Sequence, residues 1–369
     1  MFCKHFGVCG GCTLPGVPYP EQLATKRKEL SRLLSIDVPA LIPSPNESGF
    51  RSKVAFVFAN GVMGHFALKS QRVIPIEECP VHHERGNRIA FALRDRLARV
   101  SSILPLLRHV IVRTTADGRE ASTMLVVRAN DKALRAPVKK FLASDAKPDG
   151  FFVNIHPKPG PYMVGDETLK IEGRSHVKET VGGVSYLVSP TAFFQTNVGA
   201  AEELLKLVLE CVNEPKGSLP PVPRVLDLYC GSGLFSLPLA KARASVTAIE
   251  ENRQAIADAE ANVRLNRIAP NQIRLIAGRV EEALARAEKQ SWDAVILDPP
   301  RQGCPLSVLT AVFERIRPRR VVYVSCSPDA LASELPVILK TGYRVTRVQP
   351  VDMFPHTDHI ETVMTFELG

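Results

Sequence analysis

Several residues in this 369-residue chain have the types and spacing to do chemistry. Cys326 is the first, in Ser325-Cys326-Ser327-Pro328 after the run Val321-Val-Tyr-Val324. β-Branched and aromatic residues make a buried strand, and Pro328 opens a helix. One thiol therefore ends a parallel strand, at the edge where open α/β sheets hold their ligands. A cysteine kept for packing would sit inside the strand or on the helix's core face; at the strand end it is placed to act as a nucleophile. Glu361 begins the last strand (360–366) near that same edge, as a carboxylate able to take a proton. Asp298, in Asp298-Pro-Pro-Arg301, ends a further strand there.

At the amino terminus, Cys3-x5-Cys9-x2-Cys12 is interleaved with Gly7, Gly10 and Gly11, which let the backbone fold tightly around thiolates. Three ligands leave a site open, and Cys79, in Glu77-Glu78-Cys79-Pro80, is the candidate for the fourth. A Cys-Pro pair also occurs in bacterial cluster-binding runs. Cys3, Cys9, Cys12 and Cys79 read as ligands of an iron–sulfur cluster, with a zinc tetrathiolate or four unrelated thiols as the alternatives. The chain has eight cysteines, no apolar run long enough to cross a membrane and no apolar leader segment, so it reads as soluble and cytoplasmic, with thiols kept for metal or catalysis.

The elements that must position these groups fall into two halves. From Ala200 onward helix and strand alternate, which predicts a doubly wound parallel sheet. A helix at 199–213 and a Pro-rich linker at 219–223 lead into its first strand. The last two strands, 343–352 and 360–366, read as a terminal antiparallel pair. Before this, an amphipathic helix at 20–35 precedes a hairpin of Phe50–Phe58 and Val62–Phe66 about Asn60-Gly61. An Arg-rich helix near 82–100, strands near 108–115 and 120–129, a helix near 131–143 and strands near 151–156, 168–172 and 184–188 complete an α+β domain. The expected division is residues 1–190 and 191–369.

Val225-Leu-Asp-Leu-Tyr-Cys-Gly-Ser-Gly-Leu-Phe235 is a strand, a Gly-rich turn and a helix start, with Gly231 and Gly233 giving a tight turn open to a ligand. A second strand ends in Glu250, placed to accept hydrogen bonds from a ribose diol. A dinucleotide turn would carry a third glycine, but position 236 is Ser, and Asp227 in the first loop suits a cationic ligand without phosphate. S-adenosylmethionine (SAM) fits. A thiol, a carboxylate and a methyl donor at one edge suit methylation at C5 of uracil: thiolate addition to C6 activates C5, and a base then removes the C5 proton.

Residues 1–190 carry 27 Lys and Arg against 17 Asp and Glu, whereas 191–369 carry 20 against 21. The positive excess lies in the first half, as expected of a phosphate-backbone footprint or of a plain solvated basic surface. Arg51, Lys53, Lys69 and Arg72, with Phe50, Phe56 and Phe58 interleaved, are the candidate contacts.

The cysteine set, Phe193-Phe194-Gln195-Thr-Asn197, Asp227-Leu-Tyr-Cys-Gly-Ser-Gly233, Asp298-Pro-Pro-Arg301, Ser325-Cys326-Ser-Pro328 and Phe354-Pro-His-Thr357…Glu361 together resemble the RNA uracil-C5 methyltransferase family across nearly the whole chain. The resemblance implies a class I SAM-methyltransferase domain, preceded by an α+β RNA-binding domain with a [4Fe-4S] cluster on Cys3, Cys9, Cys12 and Cys79. It implies Cys326 as nucleophile, Glu361 as general base, and Gln195, Tyr229, Glu250 and Asp298 around SAM and the target base. The chain is most similar to the short class without a TRAM domain that methylates 23S rRNA at the uridine of position 747. Other rRNA uridines and the T-loop uridine of tRNA are the alternative targets, and the expected form is a monomer with no obligate protein partner. Two rival functions are RNA cytosine-C5 methylation, whose enzymes place a second Cys where Arg301 stands here, and non-catalytic RNA binding. Cys304 reads as incidental, and His356 and His359 are assigned no role.

Overall fold

The computed structural model describes residues 3–14, 16–158, 163–213 and 220–369; Met1, Phe2 and Leu219 of the expected linker lie outside them. Helix α1 (Tyr19–Leu34) is followed by the expected hairpin, β1 (Lys53–Ala59) and β2 (Val62–Phe66). Asn60 and Gly61 both take positive φ, at 51° and 76°, as a two-residue hairpin turn demands. Strand β1 alternates so that Val54, Phe56 and Phe58 point into a core. With β3 (Val73–Pro75), β4 (Leu107–Thr114), β5 (Ala121–Val127), β6 (Gly150–Ile155) and β7 (Glu167–Gly173) it forms a seven-stranded sheet in the order β3-β2-β1-β4-β5-β6-β7. Apolar residues of α2 (Glu84–Leu97) and α3 (Arg135–Leu142), among them Ile89, Leu93, Val138 and Phe141, close its core.

A second hairpin, β8 (Val177–Val181) and β9 (Val184–Val188), precedes α4 (Val198–Asn213). Then come β10 (Arg224–Leu228), α5 (Ser236–Lys241), β11 (Ser245–Glu250), α6 (Arg253–Leu265), β12 (Ile273–Ala277), α7 (Val280–Ala287), β13 (Ala294–Leu297), α8 (Leu306–Thr310), β14 (Arg320–Ser325), α9 (Pro328–Leu339), β15 (Tyr343–Val351) and β16 (Glu361–Leu368). The sheet order is β12-β11-β10-β13-β14-β16-β15. Its first five strands run parallel, and β16 is antiparallel to both β14 and β15. Strand β14 is buried along its whole length, so both faces are covered.

The hydrophobic cores divide differently from a break at residue 190. Leu30 and Leu34 of α1, with Val38 and Leu41, share a core with Tyr323 on the second sheet and Leu335 and Ile338 of α9. Strand β9 does not complete the first sheet, because Val184, Tyr186 and Val188 bury against α4 and the second sheet. Helix α6 lends β9 a substitute neighbour. The Asn266 side chain brackets Ser185, accepting its N–H at 3.0 Å and donating to its carbonyl at 2.6 Å. Asn262 does the same for Leu187, and Asp258 accepts the Ser189 N–H at 2.8 Å.

The buried stripe of α1 runs Gln22, Lys26, Leu30, Leu34, so two polar residues lie on the face that packs inward. The Lys26 ammonium meets Asp352 at 2.8 Å, with the two side chains 2% and 0% exposed. Burial pulls the Lys26 pKa down further than Asp352 holds it up. Removing one member of such a pair strands the other charge. Lys26→Met should therefore cost about 3–5 kcal/mol in denaturant unfolding, and adding Asp352→Asn should recover a large part of it. A loss below about 1 kcal/mol would mean that water reaches Asp352 and that the pair contributes little.

Candidate active site

From β10 the chain steps outward to β11 and β12, then returns to β13 on the other side of β10. Such a reversal opens a crevice at the carboxyl ends of the two central strands. The Gly-rich turn, Glu250, Asp298 and Cys326 all leave strands at that end. Glu361 joins them because β16 runs the other way: Ser325 pairs with Thr362, which sets Cys326 and Glu361 on adjacent strand ends.

In the turn after β10, Tyr229, Gly231 and Gly233 take φ of 65°, 55° and 91°. A Cβ on Gly233 would lie 1.9 Å from Leu237, so only glycine fits there. A Cβ on Gly231 would meet nothing within 4 Å, so this residue leaves backbone open to the crevice. Glu250 accepts the Gly231 N–H at 3.0 Å and the Asn252 N–H at 2.8 Å, which fixes the acid against the turn. Asp227 is fully buried; it accepts the Ser236 hydroxyl, and its Oδ1 has no partner. Burial, reinforced by Glu250, pushes its carboxyl up to about 7. The buried Tyr229 hydroxyl is also unpartnered. Acids and an open backbone turn suit a cationic ligand with hydroxyls, as SAM is, better than a pyrophosphate.

At the reacting centre, burial and the nearby Glu361 and Asp298 push the Cys326 thiol up to about 11, while Arg301 works the other way. Glu361, 4% exposed, is lifted by burial and held back by Arg301. Asp298 is lifted by burial, then by Glu361, Asp227 and Glu250. The sequence showed Arg301 only as the residue standing where a cytosine-C5 enzyme would carry a second Cys, and its electrostatic part was missed. The available signal was charge: a lone cation follows a strand-end acid in a half of the chain where acids collect at strand ends.

Gln195 is buried in the loop before α4, and Ser232 Oγ of the Gly-rich turn stands 3.5 Å from the Phe193 carbonyl. Asn197 in the same loop donates to Ser44 at 2.9 Å and to the Met353 carbonyl at 3.0 Å. His356 is buried at φ 66°; it contacts Gln22 through Nδ1 at 3.1 Å and the Glu47 carbonyl through Nε2 at 2.8 Å. These bonds hold the segment that delivers Glu361. The sequence signal for Gln22 and Lys26 was their place on the apolar stripe of α1.

Cys3, Cys9, Cys12 and Cys79 line one cavity of about 380 Å³, with His5, Arg51, Lys53 and His65 among the other walls. Burial pushes Cys12 up to about 12 and Cys79 up to about 11. Among the described residues, no group of three or more Cys, His, Asp or Glu side chains stands ready as placed to hold a metal ion; the four cysteines share the walls of this cavity. The candidate RNA contacts need correction. Phe50, Phe56 and Phe58 are core residues, and Arg51 and Lys53 face the thiol cavity, where burial and Arg113 bring Lys53 down to about 7. Lys69 and Arg72 are exposed, as is Phe193. Cys304 is 7% exposed and packed beside Tyr323, away from a nucleophile's place.

These charges give a test on the free protein. At pH 8, iodoacetamide should modify Cys326 at least tenfold more slowly than an exposed thiol, by peptide-resolved mass spectrometry. Glu361→Gln removes a charge that opposes the thiolate and should speed the reaction, whereas Arg301→Ala should slow it. A Glu361→Gln protein no faster than the parent would place the carboxylate away from the sulfur.

A profile described as tRNA (uracil-5-)-methyltransferase matches residues 19–367. An uncharacterized RNA methyltransferase of Geobacter sulfurreducens is 34% identical over 386 residues, covering 98% of this chain and 76% of that protein. One of Thermosynechococcus vestitus is 34% identical over 373 residues, covering 96% and 81%. Among solved structures, the tRNA (uracil-54, C5)-methyltransferase of Pyrococcus abyssi, in complex with S-adenosyl-L-homocysteine, aligns with a TM-score of 0.80 at 27% identity, covering 98% of this chain and 86% of that one. With a class I α/β methyltransferase fold and an acidic crevice at its switch point, the chain belongs to the SAM-dependent RNA uracil-C5 methyltransferase family.

Proposed function

We propose that this protein methylates C5 of a specific uridine through a covalent link between Cys326 and C6 of the base. The observation that carries the reading is the convergence of Cys326, Glu361, Asp298 and Arg301 at one sheet edge beside the Gly-rich turn. Uracil C5 is a poor nucleophile. When Cys326, its thiol proton lost to solvent, bonds through sulfur to C6, the C5–C6 electron pair moves toward C5 and O4, and C5 becomes enolate-like. Bound SAM supplies the methyl group as an electrophilic sulfonium. Glu361 then takes the C5 proton, the C5–C6 double bond re-forms, and the sulfur leaves as thiolate. Arg301 favours both the thiolate and the ionised Glu361. Glu250, Asp298, Tyr229 and Gln195, with the open turn at Gly231 and Gly233, hold the cofactor and orient the base.

The target we propose is 23S rRNA, at the uridine of position 747. The likeness to the Pyrococcus abyssi enzyme favours a second reading, the T-loop uridine of tRNA. Residues 50–173 would form the RNA-binding unit, with exposed Lys69 and Arg72 on its contact surface and exposed Phe193 from the loop before α4 beside it. Mapping 5-methyluridine in rRNA and tRNA from cells with and without the gene decides the target. The chemistry is tested separately with Glu361→Gln, which should accumulate a methylated protein–RNA species in denaturing gels, while Cys326→Ala forms none. Normal turnover by Glu361→Gln would remove the carboxylate from the role of base.

A [4Fe-4S] cluster on Cys3, Cys9, Cys12 and Cys79 belongs to the same reading. Four thiols around one cavity are the right donor set. A single zinc ion would need its sulfurs about 3.8 Å apart, given Zn–S bonds of about 2.3 Å in a tetrahedron. A cluster needs them spread over its corners, around a space the size of a cavity rather than of one ion. Anaerobically purified protein should be brown, with about four irons and four sulfides per chain, and Cys79→Ser should lose the colour. Stoichiometric zinc without sulfide would reject the cluster.

A further inference from the structure

The segment after β13 turns sharply. Gly303 donates its N–H to the Pro300 carbonyl at 2.8 Å, closing a turn with Arg301 at its corner. The next residue, Cys304, donates its N–H at 2.7 Å to Oε1 of Glu334 on α9. The other carboxylate oxygen of Glu334 accepts the Tyr323 hydroxyl from β14 at 2.6 Å. Glu334 is 7% exposed, and a Cβ on Gly303 (φ 81°) would lie 2.0 Å from its Oε1, so the turn sits directly against the carboxylate. Strand β14 ends at Ser325 and α9 begins at Pro328, with Cys326 between them. One buried carboxylate therefore joins the turn that carries Arg301 to the strand and helix that flank Cys326.

We propose that Glu334 is a positioning residue that holds Arg301 at the distance where its charge stabilises the Cys326 thiolate. The groups facing Cys326 are Glu361 from β16, Asp298 from the end of β13 and Arg301 from the turn. Arg301 is the one that favours the thiolate. Its guanidinium is exposed, and its contact with His359 Nε2, at 3.5 Å, is at the limit of a hydrogen bond. The turn, more than the side chain's own contacts, sets where it stands. The consequence for turnover rests on Cys326 being the nucleophile; the positioning itself does not.

The test is therefore the pH dependence of Cys326 alkylation by iodoacetamide in the full chain without RNA, read peptide by peptide, with folding checked by circular dichroism. Glu334→Ala should slow alkylation at pH 8 by roughly threefold to tenfold, the change expected when a thiol midpoint rises by half to one unit. Loss of the Glu334 charge alone would act in the opposite direction, so the sign separates positioning from simple electrostatics. Glu334→Gln keeps an acceptor for the Cys304 N–H and should stay within about twofold of the parent. In an Arg301→Ala background, Glu334→Ala should add no further slowing. Should Glu334→Ala not fold, Gly303→Ala displaces the same turn from the other side and should slow the reaction likewise. Alkylation as fast as the parent in a folded Glu334→Ala or Gly303→Ala protein, or slowing that persists without Arg301, overturns the proposal. Absence of RNA methylation with this thiol pattern intact would count against the proposed function and not against the positioning.

Discussion

Buried like charge governs this molecule. Asp227, Glu250, Asp298 and Glu361 crowd the carboxyl edge of one sheet, and burial lifts Asp227, Asp298 and Glu361 above the ordinary carboxyl range. Such a pocket resists another anion, which is why a Gly-rich turn that looks half dinucleotide-like is unsuited to a pyrophosphate. A cation entering the crevice meets acids whose ionised forms it favours. Occupancy by a sulfonium would thus change the protonation of the acids around it, Glu361 included. Burial first, and then Glu361 and Asp298, oppose the Cys326 thiolate in the free protein, and the same acids suit a cationic ligand.

The sheet edge is completed by segments that arrive from elsewhere in the chain. Glu361 begins β16, but the stretch before it is held from the amino-terminal side. Lys26 binds Asp352, Gln22 and Glu47 bind His356, and Asn197 binds both Ser44 and Met353. These contacts are buried polar ones, which are costly unless satisfied and hence specific in geometry. The amino-terminal helix is part of the catalytic half in packing terms, although more than three hundred residues separate Lys26 from Asp352.

The alternation of helix and strand after Ala200, the hairpin at Asn60-Gly61 and the strand-end placement of Cys326, Asp298 and Glu250 were legible because each rests on local pattern. Alternation, turn chemistry and a Pro after a strand are near-neighbour signals. What the sequence concealed was long-range. Helix α1 shows an amphipathic stripe, but no local rule says which sheet the stripe covers. Val184-Ser-Tyr-Leu-Val188 reads as a strand, yet on the edge away from β8 its partners are side chains of a helix about eighty residues later. Arg51, Lys53 and the phenylalanines beside them follow the composition of an RNA-binding strand. Burial decides their roles instead, turning the aromatics into core and the cations toward the thiol cavity. The cysteines show donor type and number in the sequence, and the spatial arrangement of their sulfurs does not follow from spacing.

The bracket of Asp258, Asn262 and Asn266 on β9 works as a vernier. Four helical residues advance about 6 Å, and two strand residues advance about 6.7 Å. The two rulers agree closely enough for three successive marks to coincide, at Ser185, Leu187 and Ser189, and drift apart beyond that. A helix can therefore stand in for a strand only over a short span, and only in one register. Helix α6 starts three residues after Glu250, capped by Asn252, whose N–H that carboxylate accepts. Sliding the hairpin by a single residue would misalign all three marks at once. Glu250 is thus calibrated by a hairpin that lies before the expected division at residue 190.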